Sequence, residues 1–368
     1  MRTVDDIKAI VYNEQDAGER ITSAFLRLAG KEKIPYSSKD ELETILAGLK
    51  NRFTSKDVII LKRFLGRVFQ NCPASAGMIC CNYTLFNTCF GCLYDCAYCF
   101  LNSYINFFGI IQFTHIEGTA SEILSYAAQN ESFVRRIGTG EFCDSLMMDE
   151  LTGIGKTLIE SLSVSKNAMI ELKTKSENIE HLLSVSQKGN AVLAWSLNTE
   201  HAVSRYEHGS VSLERRLAAA QRAARAGYFL AFHFDPIIRY EGAEADYEAL
   251  VHRLFSAVDP ERVVWVSLGC FRYSAGFKEA KAELSRELTS AEMFPGLDGK
   301  MRYLRSFRLA MYKKMKDAIY SYSRKPFVYL CMESSDMWYD VFGADYSNPD
   351  QLEEAMSSHI KKEFLHKL

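Results

Sequence analysis

A chain of 368 residues, 48% of them hydrophobic, can bury a large core, which excludes a disordered protein and fits one barrel-sized domain with extensions or two domains. The formal net charge of −2 excludes a global field that would recruit nucleic acid or membrane, so any such contact must come from a local patch. The first residues lack the charged-then-apolar pattern of a signal peptide and no apolar run reaches the length of a bilayer span, so the expectation is a cytoplasmic protein with no membrane partner.

Residues 1–75 read as a helical N-terminal extension. Ser38 and Glu41 have the spacing of a capping box ahead of Leu42, Ile45, Leu46 and Leu49, an apolar face at helical period. A second amphipathic stretch is expected over 58–68. From about residue 77 the pattern changes to short β-rich runs, at 78–85, 110–115, 136–139, 169–174, 191–197, 229–234 and 263–268. Helical stretches lie between them at 120–128, 151–162, 178–185, 213–226 and 247–258, with Gly227 placed to stop the fourth. Such alternation predicts an α/β fold with a parallel sheet and helices outside it. If the sheet curls into an open barrel, functional side chains belong at the carboxyl ends of its strands.

Of ten cysteines, six fall between Cys72 and Cys96, with Cys99 just beyond. In a large cytosolic chain such clustering favours metal over disulfide. The decisive group is Cys92-x3-Cys96-x2-Cys99, with Tyr98 before the third cysteine. Thiolates bind iron–sulfur clusters, which normally take four protein ligands, so a set of three leaves one iron open. A zinc site that adds Cys89 is the competing reading; zinc modules usually separate their two pairs by a dozen residues or more, and here the gap is cramped. The adjacent Cys80 and Cys81 are read as packing, as is Cys331.

This spacing resembles the signature of the radical S-adenosylmethionine (AdoMet) enzymes, in which the open iron of a 4Fe-4S cluster binds AdoMet and cleaves it to a 5'-deoxyadenosyl radical. The resemblance implies that Cys92, Cys96 and Cys99 are cluster ligands, that Tyr98 lies near the adenine, and that 76–275 form a partial (β/α)6-type radical AdoMet barrel. It also implies a one-electron donor of flavodoxin or ferredoxin type. The protein's part in such chemistry is to bind, orient and exclude.

Strand-end segments carry the remaining candidates. Gly138-Thr139-Gly140-Glu141 resembles the Gly-Gly-Glu element by which many of these enzymes hold the AdoMet amine. Lys175 suits a carboxylate, and Ser196 or Asn198 a ribose or carboxylate. Four stretches look like the spore photoproduct lyase family: residues 173–176, 195–198, the segment from Gly209 to Arg216, and the turn 226–228. By position, Tyr98, Asp144, Lys175 and Ser196 match AdoMet-binding positions of that family. Its true lyases repair a thymine dimer in DNA and return a hydrogen from a protein cysteine. Here Glu141 stands where that cysteine aligns; a glutamate cannot supply a hydrogen atom, and Cys143, two residues on, is the candidate donor.

Residues 276–368 read as a C-terminal basic, aromatic and helical region with a cap. Between Lys300 and Lys325 lie nine Lys or Arg and one acid, Asp317, interleaved with aromatics, a pattern that suits either a DNA contact or the solvated face of a helix. Three functions follow: photoproduct-lyase-type repair of a DNA lesion, the same radical machinery on a non-lesion substrate, or a zinc-binding nucleic-acid adaptor without catalysis.

Overall fold

The computed structural model describes residues 1–64, 69–72, 75, 77–116, 118–130, 132–274, 277 and 286–365. The first half contributes strands β1 (Ala9–Asn13), β2 (Glu32–Tyr36), β3 (Val58–Lys62), β4 (Phe69–Asn71), β5 (Thr84–Phe86), β6 (Cys89–Phe90), β7 (Asp95–Cys96) and β8 (Ile110–Phe113). There follow β9 (Arg135–Gly138), β10 (Ala168–Thr174), β11 (Val192–Ser196), β12 (Glu207–His208), β13 (Phe229–Ile237), β14 (Val263–Cys270), β15 (Arg272–Tyr273), β16 (Met293–Pro295), β17 (Met301–Tyr303) and β18 (Phe327–Leu330).

The N-terminal region is an α/β unit rather than a helical extension. β2, β1, β3 and β8 run parallel, and β6 adds an antiparallel edge. The Ser38 cap and the helix Lys39–Lys50 are present as expected. The predicted 58–68 helix is instead the strand β3, with 65–68 outside the described residues. Four consecutive buried residues, Val58 to Leu61, explain the error: a parallel strand covered on both faces has no alternation to separate it from a buried helix.

The main sheet has the order β18-β14-β13-β11-β10-β9-β5-β4 and is parallel except for β4. It is the curled α/β sheet that the alternating pattern predicted. Its last strand, β18, comes from the C-terminal region, so the barrel runs past residue 275. The predicted 110–115 strand exists but belongs to the N-terminal sheet. The helix expected over 151–162 is broken at Gly153, whose φ of 62° is left-handed. The helix Leu213–Arg225 ends as expected, with Gly227 at φ 94° and the Tyr228 amide reaching back to the Ala223 carbonyl. Among the described residues, no helix is long and apolar enough to cross a membrane.

Period-two alternation sorts the strand residues into layers of the lumen. Arg136 on β9 lies deepest, its guanidinium among the rings of Tyr83, Trp265 and Tyr329. On β10, Glu171 and Lys173 fall on one face, with Lys175 continuing the alternation past the strand end. Glu171 accepts hydrogen bonds from Tyr83, His233 and Trp265, and the His233 ring also meets the Ser267 hydroxyl at 2.7 Å. Two glycines make room: a Cβ at Gly138 would sit 1.6 Å from the Tyr83 hydroxyl, and one at Gly269 would sit 2.7 Å from Asp235. The lumen therefore has a polar, hydrogen-bonded floor and a charged upper layer.

Candidate functional site

The cysteine loop is held from both sides. β7 pairs antiparallel with β12, setting Cys96 opposite Glu207, and the Ala97 amide donates to the Tyr206 carbonyl at 2.7 Å. On the other side Lys56 donates to the carbonyl oxygens of Cys92, at 2.8 Å, and Tyr94. Cys92 and Cys96 are electrostatic neighbours, as are Cys96 and Cys99. Burial raises the Cys92 thiol, with Asp144 adding to the rise and Lys56 opposing it. Burial likewise pushes the Cys96 thiol up to about 12, with Lys175 opposing. Two ammonium groups thus flank thiols that would ionise to bind metal. That donor set fits an anionic iron–sulfur cluster, whose thiolates each bind a separate iron. Among the described residues no group of three or more His, Cys, Asp or Glu converges on a single ion, the three cluster cysteines included. Cys89 turns instead to the Gly91 carbonyl and to Cys143.

Asp144 sits beside the loop. Its carboxylate accepts from the Thr174 hydroxyl and the Lys175 amide, both at 2.6 Å, and from the Leu146 amide at 3.0 Å. Burial nonetheless raises its pKa above the usual carboxylate value. The Lys175 ammonium lies 5.8 Å from the centroid of the Tyr98 ring, and the Tyr98 hydroxyl donates to Glu207. Burial alone would raise the Glu207 pKa, but Arg216 and Lys175 hold it below the usual range. Cys92, Cys96, Tyr98, Asp144 and Lys175 are therefore one constellation at the carboxyl end of β10, and Ser196 joins it through Arg216, which donates to the Ser196 carbonyl at 3.0 Å.

The profile of the spore photoproduct lyase family matches residues 76–287, more than half of the chain. The chain belongs to the spore photoproduct lyase family. That family lies within the radical AdoMet superfamily. Spore photoproduct lyases of Bacillus subtilis and Clostridium acetobutylicum are 28% identical over 169 and 219 residues, covering 46% and 58% of this chain and 49% and 60% of theirs. That of a Geobacillus species is also 28% identical, over 165 residues, so the chain spans about half the length of the curated relatives it first matches. A solved spore photoproduct lyase with bound AdoMet and dinucleoside spore photoproduct has the same fold, with a TM-score of 0.73, 20% identity, and coverage of 89% of this chain and 99% of that one.

In this spore photoproduct lyase family member, three predicted residues stand apart from the constellation. Glu141 is grouped with Lys173, Asp235, Arg272 and Lys300 in the upper lumen, where burial raises its pKa while Lys173 pulls it down. Asn198 is occupied: its amide donates to the Pro236 carbonyl at 3.1 Å, and its oxygen accepts from the Thr199 amide at 3.2 Å and from the Tyr247 hydroxyl. Cys143 is buried, its thiol meeting the Thr139 carbonyl at 3.5 Å, the Thr88 hydroxyl at 3.8 Å and Cys89.

Sequence reasoning missed Lys56, Glu171 and Glu207, and gave Lys173 and Arg216 no role beyond membership of the family-like stretches 173–176 and Gly209 to Arg216 and, for Arg216, of a weak basic patch. Glu171, Lys173 and Lys175 carried a usable signal, since charges at alternate positions of a buried strand must share one polar face. Glu207 carried none, because it meets Tyr98 across 109 residues of sequence.

Proposed function

We propose that this chain is a radical AdoMet enzyme that holds a 4Fe-4S cluster on Cys92, Cys96 and Cys99 and binds AdoMet among Tyr98, Asp144, Lys175 and Ser196. The observation that carries the reading is the joining of the cysteine loop to Asp144 and Lys175 at the carboxyl end of a parallel strand, with Lys56 and Lys175 flanking the thiols. When bound, the cluster and AdoMet supply reductive cleavage to a 5'-deoxyadenosyl radical, with the electron coming from a flavodoxin- or ferredoxin-type donor. The chain's own residues orient: Lys175 offers an ammonium to a carboxylate, and Asp144 fixes the Lys175 backbone.

The first substrate reading is a cross-linked thymine lesion in DNA, supported by family membership and by relatives solved with dinucleoside spore photoproduct. Glu141 cannot return a hydrogen atom to the product. Cys143 is the donor proposed from the sequence, and its contacts with Thr88 and Cys89 count against it. A second reading keeps the radical machinery and changes the substrate. It is favoured by the charged upper lumen, where Glu141 and Lys173 lie within electrostatic reach of each other and of Asp235, and Glu141 also of Arg272, groups suited to a polar or charged substrate.

Anaerobic purification followed by iron, sulfide and zinc analysis tests the cluster; zinc without sulfide would remove both radical readings. AdoMet, a strong reductant and irradiated oligonucleotide then separate the two substrates. Formation of 5'-deoxyadenosine together with loss of the lesion supports repair, whereas AdoMet cleavage with every lesion intact supports the second reading.

A further inference from the structure

Behind the cysteine loop lies an ion pair that solvent does not reach: Arg216 and Glu207 meet at 2.5 Å with side chains 0% and 1% exposed. Such a pair is a poor stabiliser, because desolvation offsets the attraction and apolar groups of similar volume often serve as well. What a guanidinium adds is direction, a planar fork of donors that fixes several partners at once. Arg216 uses all three of its nitrogens. Beside the ion contact with Glu207 it donates to the Ser196 carbonyl at 3.0 Å, the Ser210 hydroxyl at 2.7 Å and the Val211 carbonyl at 2.8 and 3.1 Å. Glu207 in turn faces Cys96 across the β7–β12 pair and accepts the Tyr98 hydroxyl. One buried bracket therefore joins the loop bearing Cys96 and Tyr98 to the end of β11 bearing Ser196.

We infer that Glu207 and Arg216 are positioning residues for AdoMet, fixing the Tyr98 ring and Ser196 relative to each other so that the two present a preformed cradle beside the cysteine loop. They act through Tyr98 and Ser196 and not by contact with the cofactor. The inference rests on the radical AdoMet reading above. It goes beyond that reading in naming what holds the binding groups in place, and it explains why a costly pair stands behind a loop that backbone pairing already anchors.

The test uses the full chain, reconstituted anaerobically, with AdoMet itself as the probe. Glu207→Gln keeps the size of the side chain and an acceptor for Tyr98 but removes the ion pair; Arg216→Met removes it from the other side. Iron and sulfide per chain, melting temperature and equilibrium AdoMet binding are measured for each, for Tyr98→Phe, and for the double variant Tyr98→Phe/Glu207→Gln. The expected result is wild-type iron in Glu207→Gln with AdoMet bound on the order of tenfold more weakly. The double variant should bind no worse than the weaker single one, because the two residues act as a unit. AdoMet binding in Glu207→Gln within about a factor of two of wild type would overturn the inference, whether or not its melting temperature falls. Additive losses in the double variant would also overturn it. If Arg216→Met fails to fold, the isosteric Glu207→Gln decides. Wild-type chain that takes up no iron would bring down the radical reading itself; wild-type chain that binds AdoMet beside an equally tight Glu207→Gln would bring down this inference alone.

Discussion

Lys56, from the 3-10 turn Ser55–Asp57 that leads into β3, donates to the Cys92 carbonyl oxygen at 2.8 Å and to that of Tyr94, and its ammonium lies 3.7 Å from the Asp95 carboxylate. A residue outside the barrel thus fixes the backbone at the first of the three cysteines and supplies positive charge to a loop that becomes anionic when its thiols ionise. Lys56→Met should leave secondary structure unchanged while weakening cluster retention on the order of tenfold. Its reduction potential should also fall, because the reduced cluster carries one more negative charge and loses a cation beside it. Iron release to a chelator and an EPR-monitored titration check both; unchanged retention would leave Lys56 with a purely structural role.

The Glu171 carboxylate on the lumen floor gives the fold an acid limit. Burial would raise its pKa, but His233, Lys173 and Tyr83 more than offset this and hold it at about 2 against an ordinary 4.5. A carboxyl group depressed in the folded state contributes stability that is fully present above its unfolded value and is lost as pH falls through its folded value. The window is therefore from about 4.5 down to about 2. Melting temperature should decline across that window in the wild type. In Glu171→Gln it should start lower at neutral pH and show a weaker decline over the same range.

β9, β10, β11, β13 and β14 were legible as short runs each followed by a turn, and the cysteine loop because its ligands are local, whereas the expected 78–85 strand shrinks to Thr84–Phe86 and β4 and β18 were not among the expected runs. Long-range relations were not legible. Val58 to Leu61 carry no alternation, so β3 looked helical, and with it the N-terminal sheet was lost. Glu141 sits in an AdoMet-like motif, and its placement within electrostatic reach of Lys173 and Asp235 depends on how β10 and β13 are set side by side in the sheet, which no spacing announces. The bracket of Glu207 and Arg216 forms only when β12 crosses back to β7, and no spacing in the sequence announces that pairing.

Gly138 is the position where the lumen floor is least forgiving. A methyl group there would overlap the Tyr83 hydroxyl, which donates to Glu171. Gly138→Ala must displace the Tyr83 ring and strip Glu171 of a donor, a combination of overpacking and a lost charged hydrogen bond that should cost about 2–5 kcal/mol. Tyr83→Phe, which removes only the hydroxyl, should cost about 1–3 kcal/mol. Chemical denaturation checks the order; Gly138→Ala as stable as Tyr83→Phe would mean that the ring moves aside freely.

The basic run between Lys300 and Lys325 has less charge to offer DNA than its composition suggests. Seven of its nine cations have a carboxylate within 4 Å: Lys300 and Arg302 with Asp298, Arg305 with Asp336 and Asp340, Arg308 with Glu333, Lys314 with Glu248, Lys316 with Asp317, and Lys325 with Glu261. Lys313 and Arg324 remain, and the Arg324 guanidinium lies 5.3 Å from the centroid of the Tyr320 ring. Each phosphate neutralised by a protein cation releases bound counterions, so the dependence of affinity on salt counts the cations engaged. If the pairs stay closed, duplex binding through this region should show a log–log salt slope of about −2, against about −8 were all nine engaged. Fluorescence anisotropy of a labelled duplex over a potassium chloride series reads the slope. A steep slope that survives replacement of Lys313 and Arg324 but collapses in Arg305→Ala and Lys314→Ala would mean that the ion pairs open to admit phosphate.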